Sequence, residues 1–191
     1  MVPSFAMSSW WAVSFVALWC VVIALAVLVV ALAREVGALH LRLGPRGALE
    51  IDTEGPPLGA QIPQVRGVDL GGATAVLGGP GSMRMILFAS PDCTLCGDVL
   101  YALPSLSRAD IDGLVVGDTP PDRMRDWRAL GIPVISSPEA FTAYGVPGTP
   151  FAVVLDEIGR VLAKGTPNDP EQLEGLLLTA RKRSGEVIRV P

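Results

Sequence analysis

Two cysteines stand three apart in Ser90-Pro91-Asp92-Cys93-Thr94-Leu95-Cys96, directly after the apolar run MRMILFA at residues 83–89. A thiol is a weak nucleophile until it ionises, and the unpaired amides of a helix N-terminus favour the thiolate. A helix predicted from about Cys93 to Arg108 puts Cys93 in its first turn, exposed and close to those amides. Cys96, one turn in, is shielded but near enough to attack a mixed disulfide. The pair therefore reads as a redox-active dithiol, with Cys93 the nucleophile and Cys96 the resolving thiol. Asp92 opposes the Cys93 thiolate by like charge, and neither His nor Lys separates the cysteines. That combination favours a moderate potential, with exchange or reduction roles, over strong oxidation. Two blander readings compete. Half of a zinc site lacks another Cys or His placed to complete it. Two packed hydrophobic thiols sit poorly with Ser90-Pro91-Asp92, which has the composition of a surface loop.

A second motif, Val146-Pro147-Gly148-Thr149-Pro150-Phe151, opens the apolar run FAVVL at 151–155. Proline cannot donate to a sheet ladder, so Pro150 belongs at the strand start, where a cis bond is readily accommodated. A plain strand-entry turn is the alternative.

The remaining composition narrows the chemistry further. There are three cysteines and one histidine in 191 residues, too few for a disulfide framework, a four-Cys zinc site or a His-rich metal site. His40 reads as a polar residue at a membrane surface, and Cys20 as a small lipid-facing or helix-packing residue. A net charge of -4 with 15 scattered Lys and Arg argues against nucleic-acid binding, which needs a basic stripe or patch.

The elements that must position the cysteines follow from the hydrophobic pattern. Residues 83–89 and 151–155 are nearly continuous apolar runs, the mark of strands buried on both faces. Strands are also expected at 65–68, 73–77, 111–116 and 160–164, with a short extended piece at 134–136. Helices are expected at 121–130 and 139–144, and a hairpin turn at Glu157-Ile158-Gly159. A closing helix starts at the cap Asp169, with Pro170 at its first position and Gln172 completing a box-like start. Leu173, Leu176, Leu177 and Ala180 form its core stripe, and Arg181-Lys182-Arg183 suit its negative C-terminal end. Together these make an α/β sandwich around a mixed central sheet.

Residues 1–33 contain no Asp, Glu, Lys or Arg, and residues 10–33 read WWAVSFVALWCVVIALAVLVVALA. As a helix this stretch covers about 36 Å, enough to cross a hydrocarbon core of about 30 Å. It is too long for a signal-peptide core and lacks a basic n-region, so it reads as a retained single-pass anchor in the lipid bilayer. Three parts result: an anchor at 1–33, a juxtamembrane helix and linker at 34–58, and a domain at 59–191. Val36, Leu39 and Leu43 continue the helix beyond the span until Gly44-Pro45, and residues 51–64, rich in Gly and Pro, read as linker. Arg34, Arg42 and Arg46 all follow the span, so the positive-inside rule favours a cytoplasmic domain.

With CxxC after a central strand and Thr149-Pro150 opening a later one, the chain resembles the thioredoxin superfamily. More narrowly it resembles the MauD family of membrane-anchored methylamine utilisation proteins. The likeness is carried by AREVGALHLRLGPRGAL, SPDCTLC, the Tyr144 to Pro150 loop with VVLDEIG, and KGTPNDPEQLEGLL, and it covers nearly the whole chain. It departs from that family at Thr94, where Pro is usual, and at Pro104, eight residues beyond Cys96. Ser-Pro-Asp also replaces the Trp that precedes the motif in ordinary thioredoxins.

The resemblance implies a thioredoxin-like sandwich preceded by one transmembrane helix, with no cofactor. Pro150 would be cis, facing the cysteines and presenting backbone groups to a bound peptide, with Thr149 beside it. By the same resemblance the domain is extracytoplasmic (periplasmic), against the flanking arginines. Its protein substrate would be the Cys-rich small subunit of methylamine dehydrogenase, whose disulfide formation it assists with the membrane protein MauE.

Rival functions remain. A peroxiredoxin-like peroxidase wants Thr or Ser three before its cysteine, and Ser90 satisfies this, but Ile86 stands where Pro is expected and a catalytic Arg is not evident. A non-catalytic assembly or docking protein would tolerate Cys93→Ser. Copper delivery lacks the His ligand it would want.

Overall fold

A computed structural model describes residues 6–42, 53–107 and 111–187. The chain divides into two compact units, Met1–Gly44 and Pro45–Pro191.

The first unit is α1 (Ala6–Arg42), a 37-residue helix. Its stretch Trp10–Ala31 has a mean hydropathy of 3.0 and is long and apolar enough to cross a membrane. Phe15 and Trp19, one turn apart, meet edge to face with ring centroids 6.2 Å apart. The helix runs past the apolar stretch as its spacing implies, while the stop at Gly44-Pro45 lies outside the described residues.

The second unit contains β1 (Val65–Asp69), β2 (Thr74–Leu77), β3 (Arg84–Ala89), α2 (Cys96–Ser107), β4 (Asp112–Gly117), a 3-10 helix (Pro121–Leu130), β5 (Val134–Ser136), α3 (Pro138–Ala143), β6 (Phe151–Leu155), β7 (Val161–Gly165) and α4 (Pro170–Val187). The strands form one sheet in the order β2-β1-β5-β4-β3-β6-β7. β3 runs parallel to β4, to which α2 connects it, and antiparallel to β6. The sheet is therefore mixed.

Alternation along β3 builds two cores. Met85, Leu87 and Ala89 join Cys96, Val99, Leu100 and Leu103 of α2 and Leu173, Leu176 and Leu177 of α4 on one face. Ile86 and Phe88 join Phe151, Tyr144, Ala140 and Ile62 on the other. Both faces are covered, which is why β3 and β6 carry unbroken apolar runs.

The helix expected at 121–130 is present with those bounds, and it is of the 3-10 type. Met124, Trp127 and Leu130 recur every three residues and all pack on the core, a period that suits three residues per turn. The basic triplet does not end the last helix, because α4 continues to Val187, and Arg183 instead donates from Nη1 to the Leu162 carbonyl at 2.8 Å. Its start is as expected: Asp169 accepts from the Gln172 amide at 2.8 Å, although the Gln172 side chain accepts from Asn168, one residue before the cap.

The Gly- and Pro-rich stretch read as linker is fastened to the domain. Gly59 donates to the Val161 carbonyl at 2.8 Å, Val161 donates to Ala60 at 3.0 Å, and Ile62 donates to Gly159 at 3.2 Å. This strap covers the outer edge of β7, whose polar groups would otherwise stand unpaired.

Candidate functional site

β3 delivers the chain to the cysteines at the end of the sheet. Two turns follow it: the Cys93 amide donates to the Ser90 carbonyl at 3.0 Å, and the Cys96 amide to the Cys93 carbonyl at 3.3 Å. These turns consume the residues before the helix, so α2 starts at Cys96. Cys93 accordingly lies just ahead of the helix, not in its first turn as the spacing suggested. The exposure pattern is the expected one: Cys93 is half-buried, whereas Cys96 is 1% exposed within the core. Their sulfurs form a disulfide, with the Cα atoms 5.5 Å apart.

The second motif arrives through strand pairing. Phe88 of β3 is in register with Phe151 of β6, so the residues after one strand meet those before the other. The Thr149-Pro150 bond is cis, Pro150 is buried, and the Thr149 carbonyl oxygen lies 3.4 Å from Cys93 Sγ. All four residues singled out in the sequence, Cys93, Cys96, Thr149 and Pro150, are thus brought to one place.

Three neighbours were not evident from the sequence. Arg123, on the 3-10 helix, donates to the Asp92 carboxylate at 2.8 Å, so the acid beside Cys93 has a cation as partner. A cavity of about 180 Å³ beside the disulfide is lined by Pro91, Leu100, Tyr101, Trp127 and Leu130 together with both cysteines. Tyr101 is 72% exposed at its rim. Only Trp127 left a local signal, its three-residue spacing from Met124 and Leu130.

Tyr144 anchors the far end of the Thr149-Pro150 loop. Its hydroxyl donates to the Pro63 carbonyl at 3.0 Å, and its ring meets Phe88 edge to face at 5.8 Å. Burial pushes its phenol up to about 12, against the opposing pull of the Arg84 guanidinium. Among the described residues, no three His, Cys, Asp or Glu side chains come together as a metal-ligand set.

A mixed sheet covered on both faces, a CxxC loop after its central strand and a cis-proline opposite define a thioredoxin-like protein. Solved structures share this fold. One is assigned to a thiol:disulfide interchange protein DsbE from Chlorobium tepidum, with a TM-score of 0.57 and 21% identity over 65% of this chain and 98% of that one. No family model matches the chain. Among curated relatives, the methylamine utilization protein MauD of Methylorubrum extorquens is 36% identical over 172 residues, 86% of this chain and 83% of the relative. MauD of Paracoccus denitrificans is 33% identical over 90% of this chain and 89% of its own. The chain belongs to the MauD family. That membership and the Cys93–Cys96 pair support a thioredoxin-like redox role.

Proposed function

We propose that this chain is a membrane-anchored thiol–disulfide oxidoreductase in which Cys93 exchanges with cysteines of a protein substrate and Cys96 resolves the intermediate. The observation that carries the reading is a half-exposed Cys93, bonded to a buried Cys96, beside the Thr149 carbonyl. In the oxidising direction a substrate thiolate attacks Cys93 Sγ, the Cys93–Cys96 bond breaks, and Cys96 leaves as a thiolate. A second substrate thiolate attacks the substrate sulfur of the mixed disulfide and releases Cys93. Two electrons pass from substrate to the pair, and the protons of the substrate thiols pass to solvent or to the leaving thiolates. Reduction of a substrate disulfide is the same sequence reversed. Thr149 and Pro150 act as the substrate-binding edge, offering backbone groups to an extended chain next to the exchanging sulfur.

The MauD relationship supports a more specific assignment. The substrate would be the small subunit of methylamine dehydrogenase, with the membrane protein MauE restoring the pair to its working state. The domain would face the extracytoplasmic side, because disulfides form and persist in oxidising compartments. The test uses the full chain in detergent, equilibrated across a glutathione series, with alkylation and mass reporting the Cys93–Cys96 state. A reversible two-electron transition is expected, and reduced Cys96→Ser should accumulate a mixed disulfide with the disulfide-bonded small subunit, because Cys93 attacks a substrate disulfide and no Cys96 thiol is left to resolve the product. A pair that never closes reversibly would defeat the enzymatic reading and leave a docking protein.

A further inference from the structure

Lys164, on β7, is the buried charged side chain among the described residues, 1% exposed. Burying an ammonium is costly unless it is hydrogen-bonded, and packing alone would be served by an apolar residue. Its Nζ donates to the Glu54 carbonyl at 2.6 Å, which fixes the start of the strap. The next residue, Gly55, donates from its amide to the Gly145 carbonyl at 3.1 Å. Gly55 has φ +68°, and a Cβ there would run into the Phe151 ring. Gly145 and Phe151 bracket the loop that carries Thr149 and Pro150. The strap therefore touches both ends of that loop, and the Tyr144 hydroxyl ties it down again at Pro63.

We propose that Lys164, acting through the Glu54–Gly55 backbone, is a positioning residue that holds the Thr149-Pro150 loop at its working distance from Cys93 for capture of protein substrates. The proposal deepens the oxidoreductase reading and rests on it. A loop displaced by about 1 Å loses its backbone alignment with an extended substrate, whereas a small disulfide needs only access to the thiol.

The test compares turnover of insulin disulfides, driven by dithiothreitol, with turnover of a small aromatic disulfide, using the full chain in detergent. Lys164→Met should raise KM for insulin about tenfold, the loss expected for one charge-assisted hydrogen bond, and leave the small-disulfide rate within about twofold. Gly55→Ala, which displaces the strap from its other side, should give the same split. Hydrogen exchange should show residues 53–62 and 144–151 losing protection together in both variants, with α2 and β3 unchanged. Parallel losses on both substrates would overturn the proposal, as would an unchanged insulin KM in a variant whose strap exchanges freely. Should Lys164→Met not fold, Gly55→Ala and the wild-type exchange decide, since an unprotected Gly55 amide is enough to refute the clamp. Pro150→Ala separates the two levels. If it leaves the insulin KM unchanged, the loop's role in substrate binding fails; if it raises KM while Lys164→Met does not, only the clamp fails.

Discussion

Tyr144→Phe removes one oxygen from the base of the Thr149-Pro150 loop, and its effect should depend on pH in a defined direction. At neutral pH the variant loses the part-buried bond to the carbonyl of the exposed Pro63, a cost of about 1 kcal/mol. The phenol is raised from 10.0 to about 12 by burial, so above pH 10 the unfolded chain sheds this proton while the folded chain keeps it. The folded-state pKa being the higher, the stability it contributes is complete below pH 10 and is lost as pH rises from 10 towards 12. At 1.36 kcal/mol per unit, the loss is about 1.4 kcal/mol at pH 11 and about 2.3 kcal/mol at the top of that window. The Tyr144 ring is buried but its hydroxyl meets the exposed Pro63, so solvent screening makes these figures upper limits.

Urea unfolding of both proteins in detergent, followed by circular dichroism from pH 7 to 11.5, measures the difference directly. The wild-type advantage should shrink above pH 10 and reverse near pH 11. With two tyrosines in the chain, a Tyr101→Phe background isolates Tyr144, whose phenolate absorbance should rise only as pH approaches 12. Parallel stability profiles for the two proteins, or a phenolate that forms well below pH 11, would refute the reasoning.

Other outcomes are simpler to check. Arg123→Ala should change stability by less than about 0.5 kcal/mol, because the pair with Asp92 is mostly exposed. It should nevertheless slow iodoacetamide alkylation of reduced Cys93 at low salt by about twofold, with Asp92→Asn restoring the rate and high salt erasing the difference; equal rates at low salt would exclude the tuning role. Gly117→Ala puts a Cβ against Met124 Sδ under the 3-10 helix and should cost about 1–3 kcal/mol in urea unfolding. Gly185→Ala, in α4 with nothing within 4 Å of the added carbon, should instead stabilise by up to about 1 kcal/mol.

The residues that perform local work were legible in the sequence. The apolar runs of β3 and β6 announced strands buried on both faces, and Pro150 announced a strand start, because pleat, burial and the missing amide act within a few residues. Asp169 announced the start of α4 for the same reason. The CxxC spacing singled out, without the fold, the two cysteines that the structure joins in a disulfide. The start of α2 lies at Cys96, later than the spacing implies, since two consecutive turns between Ser90 and Cys96 are settled by how the chain leaves β3. The period of three in Met124, Trp127 and Leu130 is present in the sequence, but only packing of all three against the core, Trp127 partly buried, selects the tighter helix. What the tertiary structure alone decided are the pairings across long separations: Arg123 with Asp92, Lys164 with Glu54, Arg183 with Leu162. A Gly- and Pro-rich segment looks the same whether it floats as a linker or straps an edge strand. Its fate depends on whether β7 offers unpaired backbone groups and Lys164 needs an acceptor. Those partners lie on the order of a hundred residues away, where no local periodicity can register them.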